Sequence, residues 1–163
     1  MTIKFIQIVA RSSNGIIGNG DDIPWRLPKD LAYFKEKTMN QVCIVGRTTY
    51  ETIKFLKGRQ FIVITSKPDS LPVSVSSAKD IDTSIELAKL KASELGLNCV
   101  MIIGGSTIYR QTFRYADKLL VTEIEKPFDG NAFYEIPSEF KLTKSSDIIS
   151  DNGLNFLFTE YVK

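Results

Sequence analysis

The sequence predicts an α/β fold, a largely parallel sheet flanked by helices and edged by an antiparallel hairpin. Three observations lead there. Up to about residue 115, short apolar strand-like runs alternate with helical patterns, as parallel strands joined by helical crossovers do. Beyond that point "DKLLVTEIE", "KLTKSSDII" and "LNFLFTEYVK" follow one another as strands without helices. The chain has 163 residues and no repeat, linker or low-complexity tract, so residues 1–163 read as one domain.

The elements follow in order. "IKFIQIVA" (3–10) reads as the first strand, and "RSSNGIIGNGDDIPW" as a long turn-prone loop. A loop of that length inside a domain of this size usually has a function. Pro28 suits the first turn of the next helix, where its missing N–H costs nothing, and "KDLAYFKEKT" continues that helix. "QVCIVG" is a strand, "RTTYETIKF" a helix, "RQFIVIT" a strand and "VSVSS" a possible further strand. "TSIELAKLKASELG" is a helix with Ile85, Leu87, Ala88, Leu90, Ala92 and Leu95 near one face and Gly96 as its stop. "NCVMII" is a strand that turns through two glycines into the helix "STIYRQTFRY".

Composition excludes several classes. The 21 basic and 19 acidic residues leave a net charge of +2, too balanced for a general nucleic-acid binder. No window approaches the ~18 apolar residues of a membrane span. No basic region leads the first apolar run, so it reads as a strand, and the expected compartment is the cytoplasm. Cys43 and Cys99 lie in apolar runs and read as small hydrophobes. There is no histidine, which removes Ser-His-Asp and Cys-His catalysis and the histidine-containing zinc sites. No metal site is expected.

Three strand ends carry groups suited to phosphate. "MIIGGSTIY" (101–109) leaves backbone N–H groups unshielded at a helix start. "VGRTTYE" (45–51) puts Arg47, Thr48 and Thr49 after a glycine, and "ITSKP" (64–68) offers two hydroxyls and Lys67. Each has a plain alternative: a tight turn, a helix cap, a solvated loop. In parallel sheets, however, ligands bind beyond the carboxyl ends of the strands, and a dinucleotide would use all three. Arg59 is either a loop cation or a fork for a carboxylate. Asp30 in "DDIPWRLPKDLAYFK" is either a first-turn acid favoured by the helix dipole or the single charge of an apolar pocket, since Leu31 and Phe34 share its face.

Taken together, these motifs resemble the dihydrofolate reductase family. "IPWRLPKDLAYFK", "VGRTTYE", "GR" at 58–59, "VITSK", "IIGGSTIY" and "LLVTEIE" fall in that family's order and at its spacing over nearly the whole chain. The resemblance implies an eight-stranded, mostly parallel central sheet with flanking helices and an antiparallel C-terminal hairpin. It implies NADPH-dependent reduction of 7,8-dihydrofolate to tetrahydrofolate, supplying one-carbon and thymidylate metabolism. Antifolate inhibitors are implied ligands, and the expected state is a monomer.

The implied roles attach to particular residues. Asp30 resembles the carboxylate that binds the pterin, and Thr122 its support. Ile8, Val9, Ile23, Leu31, Phe34, Ile53, Leu56, Ile103 and Tyr109 resemble the apolar lining. Arg59 resembles the arginine that grips the α-carboxylate of the glutamate tail. Gly46, Arg47, Thr48 and Thr49, with Ser106, Thr107 and Ile108, are implied cofactor contacts. Gly104 and Gly105 resemble a cis-linked pair beside the cofactor, and Thr65, Ser66 and Lys67 the holders of its ribose and 2′-phosphate. The loop 14–26, with Ile17, Gly18, Ile23 and Trp25, resembles a mobile cover over the nicotinamide, next to Ala10. Three features depart from the pattern, one being that "IKFLKGR" (53–59) is short where others carry a proline-bearing insertion, which implies a reshaped tail pocket. Asn131 stands where many members have an aspartate that braces the loop, and Thr107 replaces an arginine. The implied chemistry has ionised Asp30 polarise the pterin, water protonate N5, and hydride pass to C6.

Two rivals stand beside this reading. A pyrimidine reductase of riboflavin synthesis shares the fold but lacks the Asp30, Leu31, Phe34 pattern. A non-catalytic nucleotide-binding module would explain the phosphate-like strand ends but not Asp30 or Arg59.

Overall fold

The computed structural model describes residues 2–20 and 22–163; Met1 and Asp21, the latter in the expected covering loop, lie outside the described residues. Strand β1 spans Lys4–Arg11 and a short β2 Ile16–Gly18. Helix α1 (Pro28–Thr38), β3 (Val42–Gly46), α2 (Arg47–Ile53) and β4 (Gln60–Ile64) follow. Next come β5 (Ser76–Ala78), α3 (Ile81–Glu94), β6 (Cys99–Ile102) and α4 (Ser106–Thr112). The last third holds β7 (Lys118–Ile124), β8 (Ala132–Phe133), β9 (Lys141–Ser145), β10 (Ile149–Asp151) and β11 (Leu154–Val162).

The sheet runs β10-β11-β7-β1-β6-β3-β4-β5, with β9 also paired to β11. β9 and β10 occupy successive stretches of the same side of β11, so the sheet has eight strand positions, as the resemblance implies. β1 pairs parallel with β6 and β7, β3 with β4 and β6, and β4 with β5; β11 runs antiparallel to β7. The carboxyl ends of β1, β3, β4, β6 and β7 therefore share one edge, where the three motifs of the sequence meet.

Strand alternation assigns the two faces. Phe5, Val9, Val42, Ile44, Ile62, Val100, Ile102, Leu119 and Val121 point to one side and pack with α3 and α4. Ile8, Cys43, Val45, Val63, Met101, Ile103 and Leu120 point to the other, where Tyr33 and Phe34 of α1 and Tyr50 of α2 cover them. Burying one such Ile or Val side chain is worth roughly 1.5–3 kcal/mol.

Local chemistry explains where elements differ from expectation. α3 starts at Ile81, earlier than "TSIELAK" suggests, because Asp80 caps it by accepting from Thr83 N at 2.8 Å. Its buried stripe is Ile81, Ile85, Ala88 and Ala92, whereas Leu90 and Leu95 are exposed. Gly96 does end the helix, at φ 70°, with Leu97 N donating to Ala92 O and Gly96 N to Ser93 O. "VSVSS" is strand only from Ser76, since Val75 N is taken by Pro72 O in a turn. "KLTKSSDII" is two strands. Ser146 Oγ takes the Phe158 N–H that a continuous ladder would use, and Ser146 N donates to Phe158 O. The loop after β1 is not structureless: β2 pairs antiparallel with β8.

Candidate active site

Pro28 occupies the first turn of α1 and Asp30 follows two residues later, at the rim of the strand-end edge. On β7, alternation turns Leu120, Thr122 and Ile124 toward the α1 face of the sheet. Thr122, 2% exposed, donates its hydroxyl to Asp30 Oδ1 at 2.7 Å. Burial pushes the Asp30 carboxyl above its ordinary 3.8, and the Thr122 hydrogen bond opposes this without cancelling it. An ordinary first-turn acid would lie in solvent. This one is half-buried and held by a threonine on a central strand.

On the same face of the sheet Phe34, half-buried on α1, and Ile53 at the end of α2 pack together with Ile8 and Ile103, and Leu56 just beyond α2 is buried. Ile8 and Ile103 close the sheet side, 4% and 5% exposed. Leu31 is 47% exposed and Ile23 55%, so both offer apolar surface that a ligand could cover. Val9 departs from expectation. Its side chain lies on the α3/α4 side of the sheet, because β1 alternates and Ile8 takes the α1 side. Tyr109 is buried and donates its hydroxyl to Ile8 O at 2.6 Å. Burial drives its phenol far above 10, with the Asp30 charge adding to the rise. Ile108 is a core residue packed with α3.

Arg59 is held by three oxygen acceptors of the protein itself. Its Nε donates to Thr38 Oγ1 (3.2 Å), its Nη1 to Lys57 O (2.5 Å) and its Nη2 to Lys35 O (2.8 Å). The guanidinium thus sits at the carbonyl end of α1, oriented by backbone groups. Thr38 is a supporting residue that the sequence did not single out.

At the next two strand ends the backbone comes close. Gly46 N donates to Gly104 O at 2.8 Å, joining the β3–α2 and β6–α4 turns. A Cβ on Gly105 would meet Thr49 Oγ1 at 3.1 Å, and one on Gly104, at φ 113°, would meet Tyr109 Oη at 3.1 Å. The Gly104–Gly105 bond is cis. Neither α2 nor α4 has a side-chain cap, so the first-turn N–H groups of both are without a capping side chain. Arg47 beside them pairs with Glu51 at 2.8 Å and contacts Ser70. Thr48 is exposed. Thr65 Oγ1 accepts from Lys67 N at 3.0 Å, which leaves the exposed Ser66 and Lys67 side chains projecting at the β4 end. Ser106 begins α4, and Thr107 accepts from Arg110.

The covering loop is clasped rather than free. Ile16 pairs with Phe133 and Gly18 with Ala132. Asn131 N donates to Gly18 O (3.1 Å), and Asn131 Oδ1 accepts from Gly20 N (3.0 Å). A Cβ on Gly130 would collide with Gly18 O and Ile16 Cγ2. Trp25 lies in an apolar cluster with residues of β7 and β11. It is 9% exposed and packs with Leu27, Ile124 and Phe156, its ring 5.3 Å from Phe128, so it anchors the far end of the loop. Ala10 packs on the same cluster, and Ile17 is half-buried against the α3/α4 core.

Sequence reasoning missed Gln7, which is fully buried. Its Nε2 donates to Tyr109 O and Thr112 Oγ1 at 2.9 Å each, and its Oε1 accepts from Tyr134 at 2.7 Å. A glutamine in the middle of the apolar run "IKFIQIVA" was the available signal. Among the described residues no helix is long and apolar enough to cross a membrane.

Comparison with known proteins gives the same family from three directions. The family model described as dihydrofolate reductase matches residues 4–163. A Bacillus subtilis dihydrofolate reductase is 37% identical over 96% of this chain and 92% of its own length. One from Buchnera aphidicola is 40% identical over 78% of this chain and 74% of its own. The fold superimposes on an Enterococcus faecalis dihydrofolate reductase, solved with NADP(H) and RAB-propyl, with a TM-score of 0.82 at 26% identity, covering 98% of this chain and 95% of the other. A match that begins at the first strand and runs to residue 163 spans nearly the whole chain: the chain belongs to the dihydrofolate reductase family.

Proposed function

We propose that this chain, as one domain over residues 1–163, reduces 7,8-dihydrofolate to tetrahydrofolate with NADPH and so supplies one-carbon and thymidylate metabolism. The observation that carries the reading is Asp30, half-buried on α1 and hydrogen-bonded by the buried Thr122 of the central strand β7. A bare nucleotide-binding module has no use for that group.

The residues present fit the cofactor. The glycine turns at 46 and 104–105 keep side chains away from the uncapped starts of α2 and α4, where phosphate and amide oxygens find free N–H groups. Arg47, Thr48, Thr49, Ser106 and Thr107 would hold the phosphates, and Thr65, Ser66 and Lys67 the ribose and its 2′-phosphate. NADPH, when bound, supplies the hydride that reaches C6 of the pterin.

The protein's own part is alignment and charge. Ionised Asp30 binds the 2-amino group and N3 of the pterin, polarising the ring while water delivers a proton to N5. Thr122 keeps the carboxylate turned toward the ring. Arg59, already oriented by carbonyls, takes the α-carboxylate of the glutamate tail. Ile8, Leu31, Phe34, Ile53, Leu56 and Ile103 hold the rings, and Tyr109 fixes the floor between the two ligands. Ile23 and the clasped loop exclude water from the reacting atoms. An antifolate presenting a cationic amidine-like edge would use the same Asp30 carboxylate. The protein works as a cytoplasmic monomer in this reading.

The test is direct. Purified protein should oxidise NADPH only when dihydrofolate is present. Oxidation without dihydrofolate, or none with it, would remove the assignment.

A further inference from the structure

We infer that Asp151 is a positioning residue for Asp30: from the β10–β11 turn it caps helix α1 and so fixes where the candidate acid stands. The inference rests on the dihydrofolate-reduction reading above.

α1 begins without a cap of its own. Leu27 stands at the N-cap and offers no acceptor side chain, and Pro28 fills the first helical position. The first-turn N–H groups of a helix have no partner within it. Here the partner comes from 122 residues away: Asp151 Oδ2 accepts from Lys29 N at 2.8 Å. Two more bonds flank it. Lys29 Nζ donates to Ser150 O at 3.2 Å, and Asn152 Nδ2 donates to Arg26 O at 2.9 Å. Residues 150–152 therefore grip residues 26–29 on both sides of the helix start.

The grip is held by a stiff element. Asp151 pairs with Leu154, which leaves Asn152 and Gly153 as a two-residue hairpin loop. Their φ values of 50° and 78° are those of a type I′ turn, which Asn-Gly favours. Behind it, Ser150 Oγ donates to Asn155 Oδ1 at 2.6 Å, and β11 is paired along its length with β7. β7 is also the strand that carries Thr122. The hairpin thus ties the start of α1 to the same strand that receives Asp30.

Lys29 and Asp30 are adjacent, so the Asp151 bond lies one residue from the acid. Thr122 is fixed in the sheet, and the 2.7 Å bond to it tolerates little displacement of the helix end. A pivot of roughly 1 Å at a reacting group is enough to cost a large factor in rate. The carboxylate of Asp151 also faces the positive end of the helix, where an acceptor with charge binds best.

The test compares the full chain with Asp151→Ala, which removes the acceptor, and Asp151→Asn, which keeps one. Single-turnover reduction of dihydrofolate, KM for dihydrofolate, Kd for NADPH and Tm are measured for each. Asp151→Ala should slow the single turnover about tenfold and raise the dihydrofolate KM several-fold, with NADPH affinity within about twofold of wild type. Asp151→Asn should recover most of the loss. A cap with only a structural role would lower Tm in Asp151→Ala and leave rate and KM untouched, and that result would overturn the inference. Equal losses of NADPH and dihydrofolate affinity would overturn it as well. Should Asp151→Ala fail to fold, Asp151→Ser, whose shorter arm caps less well, takes its place: an intermediate rate supports the inference and a wild-type rate overturns it. A wild-type protein that leaves NADPH unoxidised overturns the function and this inference with it. An active wild type with unaffected variants overturns the inference alone.

Discussion

Asp30→Asn should make the protein more stable and far less active. In the fold Asp30 is largely withdrawn from water, and that desolvation raises its carboxyl pKa above 3.8; the Thr122 hydrogen bond pulls the other way and is the smaller effect. A raised carboxyl pKa means that the folded state resists a charge the unfolded chain accepts freely. Below 3.8, the unfolded value, the group is protonated in both states and nothing is lost. As pH climbs from there through the raised folded value, the cost appears, and it is complete once both states are ionised. Asparagine keeps the shape and still offers Oδ1 to Thr122 but has no charge to desolvate. The expected gain at pH 7 is on the order of 1 kcal/mol, the usual size when a costly functional residue is relieved. For a chain of this size that is roughly 2–4 °C in Tm. The hydride step should fall by ~10²-fold or more, the range for groups that assist proton transfer. The deficit should narrow at low pH, where dihydrofolate arrives already protonated at N5. Thermal melts and single-turnover rates of both proteins from about pH 4 to 8 read all of this. A mutant that melts at or below wild type at pH 7, or that turns over with an unchanged profile, would refute the reasoning.

Three further outcomes are expected. Arg59→Lys keeps a charge but loses the fork that Thr38, Lys35 and Lys57 orient, so KM for dihydrofolate should rise with NADPH affinity unchanged; a substrate without the glutamate tail should show no such rise. Lys67→Ala should weaken NADPH more than NADH in paired titrations, and equal weakening would remove Lys67 from the 2′-phosphate. Gly130→Ala puts a Cβ into Gly18 O and Ile16 Cγ2, so the β2–β8 clasp should open, with faster amide exchange at residues 16–20 and slower turnover. Wild-type exchange at those amides would show that the clasp can accommodate the methyl group.

What the sequence showed and what it hid divide by the range of the interactions. Most of the strands and the helices were legible because their signals are local: alternation in β1 and β7, Gly96 after α3, Pro28 at the start of α1. The polar strand ends of β3, β4 and β6 were legible for the same reason, since each is a strand followed closely by glycine or hydroxyl residues. Faces were harder. Val9 and Ile8 are neighbours in one apolar run, and only the placement of α3 and α4 decides that Val9 turns away from Asp30. Leu90 and Leu95 fit a helical stripe by spacing yet remain exposed, because the sheet beneath α3 is met by Ile81, Ile85, Ala88 and Ala92. Trp25 stands beside Ile23 in the sequence, and only the fold shows that its ring packs on Phe128 and the β11 cluster.

The contacts that organise the site are almost all long-range, and no local pattern encodes them. Thr122 reaches Asp30 across 92 residues, Arg59 reaches back 24 to Lys35, and Gly20 meets Asn131 across 111. The first two join a segment next to the strand-end edge to a strand or helix that the core already fixes. This division has a physical reason. The residues that face ligand cannot also be buried in a packed core, so their positions must be set by neighbours that are. Thr122 in a central strand, Thr38 at the buried end of α1 and Gln7 beneath α4 are 2%, 1% and 0% exposed. Each is a polar side chain inside an otherwise apolar layer, where an unpaired group would cost about 1–3 kcal/mol. Such residues are tolerated there only with their partners in place, so the folding that satisfies them also sets where Asp30, Arg59 and Tyr109 stand.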